Sequence, residues 1–407
     1  MDSTHGNDLV GAAQLLADQC RDAARSGRGL SDTTSIRAAI DRVQSLLFQL
    51  EPTAFLQHIA SQSQLLACLQ WLGEFQVLAY LPLGADGGLP IKDVAELADV
   101  PETHLCRVVR LMAMTGFLRE PQPGFVAHTT LSASFVRRPA QLDAAMFLAE
   151  TVAPSALHMA AATRRQEEFA VDWGSKRVQR QWPSFLSAVG GADDTDILAQ
   201  MDWESMVQGD GPPGCVVDVG GPLPRKGGAA GASAAIFALA ESHPTLRFVV
   251  QTDLPTAPAP MPATCNNNLA VYQRAQGTPQ TITDAAVYLL RLSTSVCTPV
   301  RTRIVSELRA HLGVLQANRA ALLILTSPLL PEPGAVPPHV ERLARLRDLS
   351  LLQLVGAGNL TLQELVDLVD SIHDGNGGLV VVKKLHAPNS AVVGLGIRYQ
   401  TIMRLTG

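Results

Sequence analysis

The chain has few charged and few aromatic residues for its size. Of its 407 residues, 17% are charged and 5% are aromatic, whereas 47% are hydrophobic. Globular proteins usually carry about 25% charged residues, so this composition indicates a protein with a large buried core. The formal net charge is −5, and the sequence contains no block of like charges. These features do not indicate a basic surface that would bind nucleic acid.

Metal, disulfide and membrane signatures are also missing. The cysteines contain no C-x-x-C pair and the histidines no H-E-x-x-H spacing. Scattered cysteines predict reduced thiols and no zinc site. No apolar run reaches about 18 residues, and no basic segment precedes an apolar core at the N-terminus. We therefore expect a soluble intracellular protein without a signal peptide or a membrane span, and with no bound metal.

The N-terminal part of the chain predicts helices that could support a dimer. We expect a helical arm over residues 1–52, followed by a dimerisation-type domain over residues 53–140. Within that domain Phe55–Ala79 carries apolar residues mostly three to four positions apart, which is the pattern of a helix with one buried face. Trp71 and Phe75 lie on this stripe, and we expect them at a homodimer interface.

A helix-turn-helix pattern follows. Lys92–Ala98 and Glu102–Thr115 predict the two helices, and residues 117–128 predict a wing. Arg107 and Arg110 on the second helix would suit a DNA reader, but two arginines on an acidic chain support that use weakly. We predict a winged helix used for dimerisation, with no direct binding of nucleic acid.

The C-terminal half alternates strand and helix signals. A helical connector is expected over residues 141–205, and a doubly wound sheet over residues 206–407. Its first strand is Cys215–Val219, and Gly378–Leu385 with Ala391–Tyr399 would close the sheet as a hairpin. The fold class is therefore a two-part α+β chain: a helical and winged-helix domain, then a doubly wound α/β Rossmann-like domain.

The turn after the first strand is the strongest candidate site. Asp218, Gly220 and Gly221 form the Asp-Val-Gly-Gly end of a buried strand, where nucleotide-type folds hold their cofactor. Pro222 and Pro224 follow, and each fixes its backbone φ angle and removes an N–H donor. The strand is thus typical of a cofactor site, whereas the loop departs from one. Asp218 could equally cap a neighbouring turn.

Several segments in this order resemble a known family. They are Val216–Gly221, Leu246–Gln251, Asp284–Arg291 and Arg347–Leu354, together with Gln64–Leu78, Gly116–Pro121 and Val126–His128. Over nearly the whole chain the sequence resembles the plant and fungal S-adenosylmethionine-dependent O-methyltransferases. It is most similar to their methyltransferase-like offshoot, the transcriptional coactivators of fungal aromatic-polyketide clusters, of which the aflatoxin-cluster coactivator is the type member.

The resemblance implies catalytic positions that this sequence fills with other residues. Active enzymes place the ribose-binding acid directly after the second strand, whereas here Asp253 comes one place late. The catalytic histidine position falls on Ser295, and the adenine-side acid position falls within residues 275–277, which contain no acid. Glu364 keeps the acid of the Arg-Thr-x-x-Glu helix start. We interpret His128 as structural, and His311 and His339 as solvated residues on helix surfaces.

These features together predict a pseudo-enzyme that regulates transcription. The resemblance implies a nuclear coactivator, also present in the cytoplasm, that acts with a pathway-specific zinc binuclear-cluster transcription factor. We expect no catalytic residue and no cofactor, with Asp218, Gly220, Gly221 and Asp253 as a vestigial cofactor site. The alternative is a phenol O-methyltransferase that uses S-adenosylmethionine, Asp218, Asp253 and Glu364 with a substitute base. A third possibility is a scaffold that senses a pathway metabolite.

Overall fold

The structure is a computed structural model of the chain. It describes residues 2–25, 34–84, 87–165, 171–189, 195–199, 201–203, 214–220, 232–252, 268–292, 299–387 and 390–401. The chain divides into two compact units. The first contains Met1–Arg137, Ala145–Glu150 and Pro337–Arg342, and the second contains Arg138–Ala144, Thr151–Val336 and Leu343–Gly407. The domain boundaries expected at residues 52, 140 and 205 stay predictions.

The first unit begins with a helical arm. Its helices are α1 (Asp2–Arg25), α2 (Thr34–Leu50), α3 (Pro52–Glu74) and α4 (Val77–Tyr80). The predicted single helix over Phe55–Ala79 is broken between α3 and α4, because Gln76 adopts a left-handed φ of 54°. The rings of Trp71 and Phe75 lie 4.9 Å apart, and Phe75 is 39% exposed within the single chain.

The region in which the sequence predicts a winged helix follows. Its elements are β1 (Leu89–Pro90), α5 (Ile91–Ala98), α6 (Glu102–Met114), β2 (Leu118–Arg119) and β3 (Phe125–His128). The three strands form an antiparallel sheet in the order β1-β3-β2. His128 is buried, and its ring bonds Ser132 Oγ at 2.8 Å and the Leu78 carbonyl at 3.1 Å, which fits the structural role expected for it.

Helices connect this part of the chain to the sheet. They are α7 (Thr130–Arg137), α8 (Pro139–Phe147), a π-helical turn (Leu148–Val152), α9 (Ala153–Arg165), α10 (Lys176–Val189) and α11 (Thr195–Ala199). Pro183 lies inside α10. Among the described residues no helix combines the length and the apolar character that a membrane span requires.

The second unit is built on one mixed sheet. Its strands are β4 (Cys215–Val219), β5 (Arg247–Thr252), β6 (Leu269–Gln273), β7 (Ala285–Arg291), β8 (Leu322–Pro328), β9 (Gly377–His386) and β10 (Val392–Thr401). In the described part of the chain their order is β6-β5-β4-β7-β8-β10-β9. The first five of these are parallel, and β10 pairs antiparallel with both β8 and β9. The predicted closing hairpin is thereby confirmed.

Helices cover both faces of the sheet. The helices that pack on the sheet include α11, α12 (Ala232–Ser242), α13 (Val300–Ala317) and α15 (Leu362–Asp370). Between α13 and α15 the chain also forms α14 (Pro338–Val355). Side chains alternate along each strand, so Val217 packs with α13 and α15 while Val216 packs with α11 and α12. Both faces are apolar, which is why the strands read as continuous hydrophobic runs.

Two expectations about the C-terminal half of the chain were wrong. The sequence analysis did not predict β6, which pairs with β5 from Phe248↔Leu269 to Thr252↔Gln273. His311 and His339 are also not solvated, since His311 is 0% exposed and His339 9% exposed. Both lie on helix faces that turn inward, so their position on a helix did not indicate exposure.

Candidate functional site

The candidate site lies at the carboxyl ends of the central parallel strands. β4 is the middle one of the five parallel strands and lies between β5 and β7, and Asp218 and Gly220 come where it ends. Ligands of doubly wound folds bind at this edge of the sheet. Gly221, Asp253 and Ser295 lie outside the described residues, so the structure gives no account of these three positions.

Asp218 forms a buried ion pair with Arg291. The Arg291 Nε donates to Asp218 Oδ1 at 2.8 Å, and Arg291 Nη2 donates to Oδ2 of the same carboxylate. Their side chains are 1% and 3% exposed, respectively. The two parallel bonds use both carboxylate oxygens in the planar fork that arginine offers. Asp218 is therefore held by a residue 73 positions away at the end of β7.

Gly220 has a structural reason to be glycine. Its φ is +79°, and a Cβ built there would lie 3.1 Å from the Arg291 carbonyl oxygen. Its N–H donates to the Gln251 carbonyl at 3.2 Å, so the turn is bonded to β5. A left-handed backbone packed against a neighbouring strand requires glycine whether or not a cofactor binds.

The loop at residues 274–280, where the family places its adenine-side acid, is tied to α13. Arg274 Nη1 donates to Glu307 Oε2 at 3.0 Å, and the Gly277 N–H donates to Glu307 Oε1 at 2.6 Å. The side chains of Arg274 and Glu307 are 6% and 1% exposed. Gly277 has a φ of +73°, and a Cβ there would meet Ser306 Oγ. Glu307 therefore fixes this loop from the helix beneath it.

Next to this pair lies a neutral polar network. The side-chain amides of Gln251 and Gln280 exchange two hydrogen bonds, each of 2.9 Å. Gln280 Nε2 also contacts His311 Nε2 at 3.1 Å, while His311 Nδ1 lies 2.7 Å from the Glu307 carbonyl. A carbonyl only accepts, so Nδ1 carries the proton and Nε2 accepts from Gln280. Every polar atom of this network has a partner inside the protein.

His311 is unsuited to act as a general base. It is fully buried, and burial lowers its pKa to about 4. Both of its ring nitrogens are committed to protein partners. A general base must come within hydrogen-bond reach of the proton it removes, and this ring is closed off from any substrate.

Glu364 takes part in a helix cap. Thr361 and Glu364 form a capping box at the start of α15, with Thr361 Oγ1 accepting from the Glu364 N–H at 3.2 Å. Glu364 Oε1 also accepts from Arg301 at 2.9 Å. The N–H of Thr361 is the main cause that lowers the pKa of Glu364. This acid, which the family motif led us to expect, is thus engaged in local structure.

The two helices α5 and α6 present acidic side chains where a DNA-binding protein would present basic ones. A concave surface of about 460 Å³ lies at the turn between α5 and α6 and is lined by Glu96, Asp99, Glu102 and Lys92. Arg110, on α6, lies 3.7 Å from Glu120. Carboxylates at this position repel phosphates, so the local charge favours a use other than DNA binding.

The roles of Arg291, Arg274 and Glu307 were not predicted from the sequence. Arg291 had a signal, because a single charge ending the apolar run of β7 needs a buried partner. Glu307 and His311 also had one, since they stand one turn apart on the apolar face of α13. In the described part of the chain, no group of three or more His, Cys, Asp or Glu residues could hold a metal ion.

Comparison with known proteins gives close relatives along the whole chain, although no protein-family model matches it. A transcriptional coactivator of Pseudocercospora fijiensis is 43% identical over 369 residues, which cover 84% of this chain and 97% of the relative. The trypacidin cluster transcriptional coactivator of Aspergillus fumigatus is 40% identical, with 97% and 95% covered. The monodictyphenone cluster transcriptional coactivator of Emericella nidulans is 39% identical, with 98% of each chain covered.

Solved structures agree on the fold. The mitomycin 7-O-methyltransferase MmcR has a TM-score of 0.63 and 18% identity over 86% of this chain and 99% of its own. A structure described as a pericyclic reaction enzyme has a TM-score of 0.69 and 16% identity, with 96% and 100% covered. Such low identities establish the fold alone. On the strength of its relatives, the chain belongs to the family of fungal secondary-metabolite cluster transcriptional coactivators, built on an O-methyltransferase-like fold.

Proposed function

We propose that this chain activates an aromatic-polyketide gene cluster as the partner of a zinc binuclear-cluster transcription factor, without transferring a methyl group. It acts in the nucleus, which it can enter with that partner. The names of its relatives support the regulatory role. The absence of methyl transfer is supported mainly by the buried ion pair of Asp218 and Arg291, because Arg291 engages the carboxylate at the end of β4.

The described residues fit S-adenosylmethionine poorly. Both Asp218 oxygens accept from Arg291, and the turn at Gly220 already packs against the Arg291 carbonyl. Glu364 is engaged by Thr361 and Arg301. A methyltransferase needs a base and a cofactor held in near-attack geometry, and these groups instead satisfy one another. The same commitments support a protein that uses the fold as a surface.

We further propose that the chain forms a homodimer through its helical arm. Large apolar side chains on α1 and α3 are exposed in the single chain, including Val10 at 70%, Leu56 at 66% and Ile59 at 49%. Patches of this kind mark protein interfaces. Light scattering of the wild type and of Leu56→Glu/Ile59→Glu tests this proposal. A wild type that is monomeric at micromolar concentration would contradict it.

Calorimetric titration with S-adenosylmethionine and S-adenosylhomocysteine tests the absence of a cofactor. An active O-methyltransferase of the same fold serves as the positive control. We expect no binding heat at millimolar ligand. Micromolar binding, followed by methyl transfer to a phenolic polyketide, would refute the proposal and establish the enzyme.

The regulatory role needs a test of its own. Deletion of the gene should abolish transcripts of the cluster, and the wild-type chain supplied in trans should restore them. Immunoprecipitation with the cluster's zinc binuclear-cluster factor should recover both proteins. Unchanged transcript levels after deletion would refute the coactivator role.

A further inference from the structure

We propose that the exposed leucine face of α14 is the docking surface for an acidic amphipathic helix of the transcription-factor partner. The leucine face consists of Leu343, Leu346, Leu349 and Leu352, which are 38%, 50%, 43% and 52% exposed. This inference rests on the proposed function, because it names the surface through which the coactivator would engage its partner.

The opposite side of α14 is the side that the described residues bury. Ala344, Leu351 and Leu354 are buried, as are Arg347 and Ser350. These residues belong to the buried side of the helix. Residues three positions apart on a helix are turned by about 60° from one another, so Leu346, Leu349 and Leu352 lie away from this buried side and Leu343 lies next to it.

A second helix contributes to the same surface. Gln353 Nε2 lies 3.3 Å from Met159 Sδ of α9, and Met159 is 45% exposed. Gln353 stands on α14 one turn beyond Leu349, at the centre of the exposed side. Met159 therefore adds a flexible, polarisable side chain beside the leucine face, of the kind that adapts to partner helices.

The size of the surface favours one helix over a second copy of the chain. The four leucines together expose less than two whole leucine side chains. A stable dimer buries about 800 Å² on each partner, far more than this face offers. An amphipathic helix, in contrast, docks through a few anchors spaced at i, i+3, i+4 and i+7.

The sign of the charge favours an acidic helix. Among the exposed residues from Leu343 to Leu352, the charged residue is Arg345. Asp348, in the same stretch, turns to the Asn359 N–H at 2.6 Å. Arg342, one turn before Leu346, is exposed and lies 2.9 Å from Asp41. Because Asp41 already pairs with Arg342, Arg345 is the residue that would attract a carboxylate placed beside the apolar side of a docking helix.

Binding of the purified full-length chain to the cluster's zinc binuclear-cluster factor tests this proposal, measured by titration calorimetry. Leu346→Glu/Leu349→Glu should weaken binding by tenfold or more, since it places two charges in the apolar contact. Arg345→Glu should weaken it several-fold, while Arg345→Lys should keep it. The matched control is Leu157→Glu on α9, because Leu157 is 87% exposed and lies two residues from Met159, on another side of that helix.

Peptides tiled across the factor identify the segment that docks. We expect the tile that binds the wild type, and not Leu346→Glu/Leu349→Glu, to be rich in Asp and Glu with apolar residues three to four apart. A basic or charge-free tile that binds in the same way would overturn the assignment of an acidic helix. Circular dichroism of each variant shows that it has folded.

The outcomes separate this inference from the proposed function. If the wild type binds the factor and Leu346→Glu/Leu349→Glu binds equally well, the docking surface is wrong and the coactivator role stands. If that variant keeps the factor but turns a dimer into a monomer in light scattering, the face is a self-association surface. If the wild type does not bind the factor at all, both proposals fail.

Discussion

Breaking the buried pair of Asp218 and Arg291 should cost the second unit a large part of its stability. Asp218→Asn removes the negative charge and leaves the Arg291 guanidinium, 3% exposed, without its counter-ion. Removal of one partner from a buried ion pair costs about 3–5 kcal/mol, because the remaining charge stays desolvated. Proteins of this kind are stable by about 5–15 kcal/mol in total, so the loss should be plain in a denaturant titration.

Trp203 provides the signal for this experiment. It is 2% exposed, packs in the core between the sheet and α12, and donates from Nε1 to the Leu198 carbonyl at 2.9 Å. Urea unfolding followed by its fluorescence should show a lower midpoint for Asp218→Asn with an unchanged slope. The exposed pair of Arg180 and Asp143, at 3.0 Å, is the control, and Asp143→Asn should cost at most about 1 kcal/mol.

A double variant separates the contribution of the ion pair to stability from the cost of removing only one of its residues. Asp218→Leu with Arg291→Met replaces both charges by apolar groups, and we expect it to lie within about 1–2 kcal/mol of the wild type. A loss below about 1 kcal/mol for Asp218→Asn alone would show that the site is solvated. Arg291 would then not keep the Asp218 carboxylate from a cofactor.

Three further variants test other parts of the site. The pKa of His311 in the folded protein, about 4, lies below its ordinary value of 6.5, so the free energy of unfolding decreases as the pH falls from 6.5 towards 4. We expect this residue to account for a loss of about 2 kcal/mol between pH 7 and pH 5. Urea titrations of His311→Gln at the two pH values should no longer show that loss. Gly220→Ala should cost about 1–3 kcal/mol, because its φ is +79° and its Cβ would crowd Arg291, whereas Gly313→Ala, in a helix with open space, should stabilise by about 0.5–1 kcal/mol. Thr361→Ala should lower the melting temperature through the loss of about 1 kcal/mol from the capping box, and an unchanged melting temperature would contradict that role.

Hydrophobic pattern and turn residues allowed most of the fold to be predicted. The Cys215–Val219 run is buried at every position, and such a run between turn signals indicates a central parallel strand. β6 escaped prediction because it is a half-exposed edge strand, in which Tyr272 is 56% exposed. Its only partner in the described sheet is β5, so its own residues carry little of the burial that makes a strand recognisable.

The position of the candidate site could be predicted from the sequence, but the hydrogen-bond partners of its residues could not. The Asp-Val-Gly-Gly pattern located the carboxyl end of β4, because that turn chemistry depends on adjacent residues. The partner of Asp218 depends on the register of β4 with β7, where Asp218 lies opposite Leu289. Such pairing across the sheet is set by tertiary packing. The inward positions of His311 and His339 were missed for the same reason, since nearby residues did not specify which side of each helix is buried.

The turn at Gly220 bears on how genomes are searched. Gly220 is required because its backbone packs against that of the neighbouring strand, and Asp218 is held by Arg291 on the same strand. Selection for folding alone can therefore preserve the aspartate and the glycine of the Asp-Val-Gly-Gly pattern in a chain that does not transfer a methyl group. A search that scores this tetrapeptide therefore detects the fold, and it gives no evidence on its own about methyl transfer.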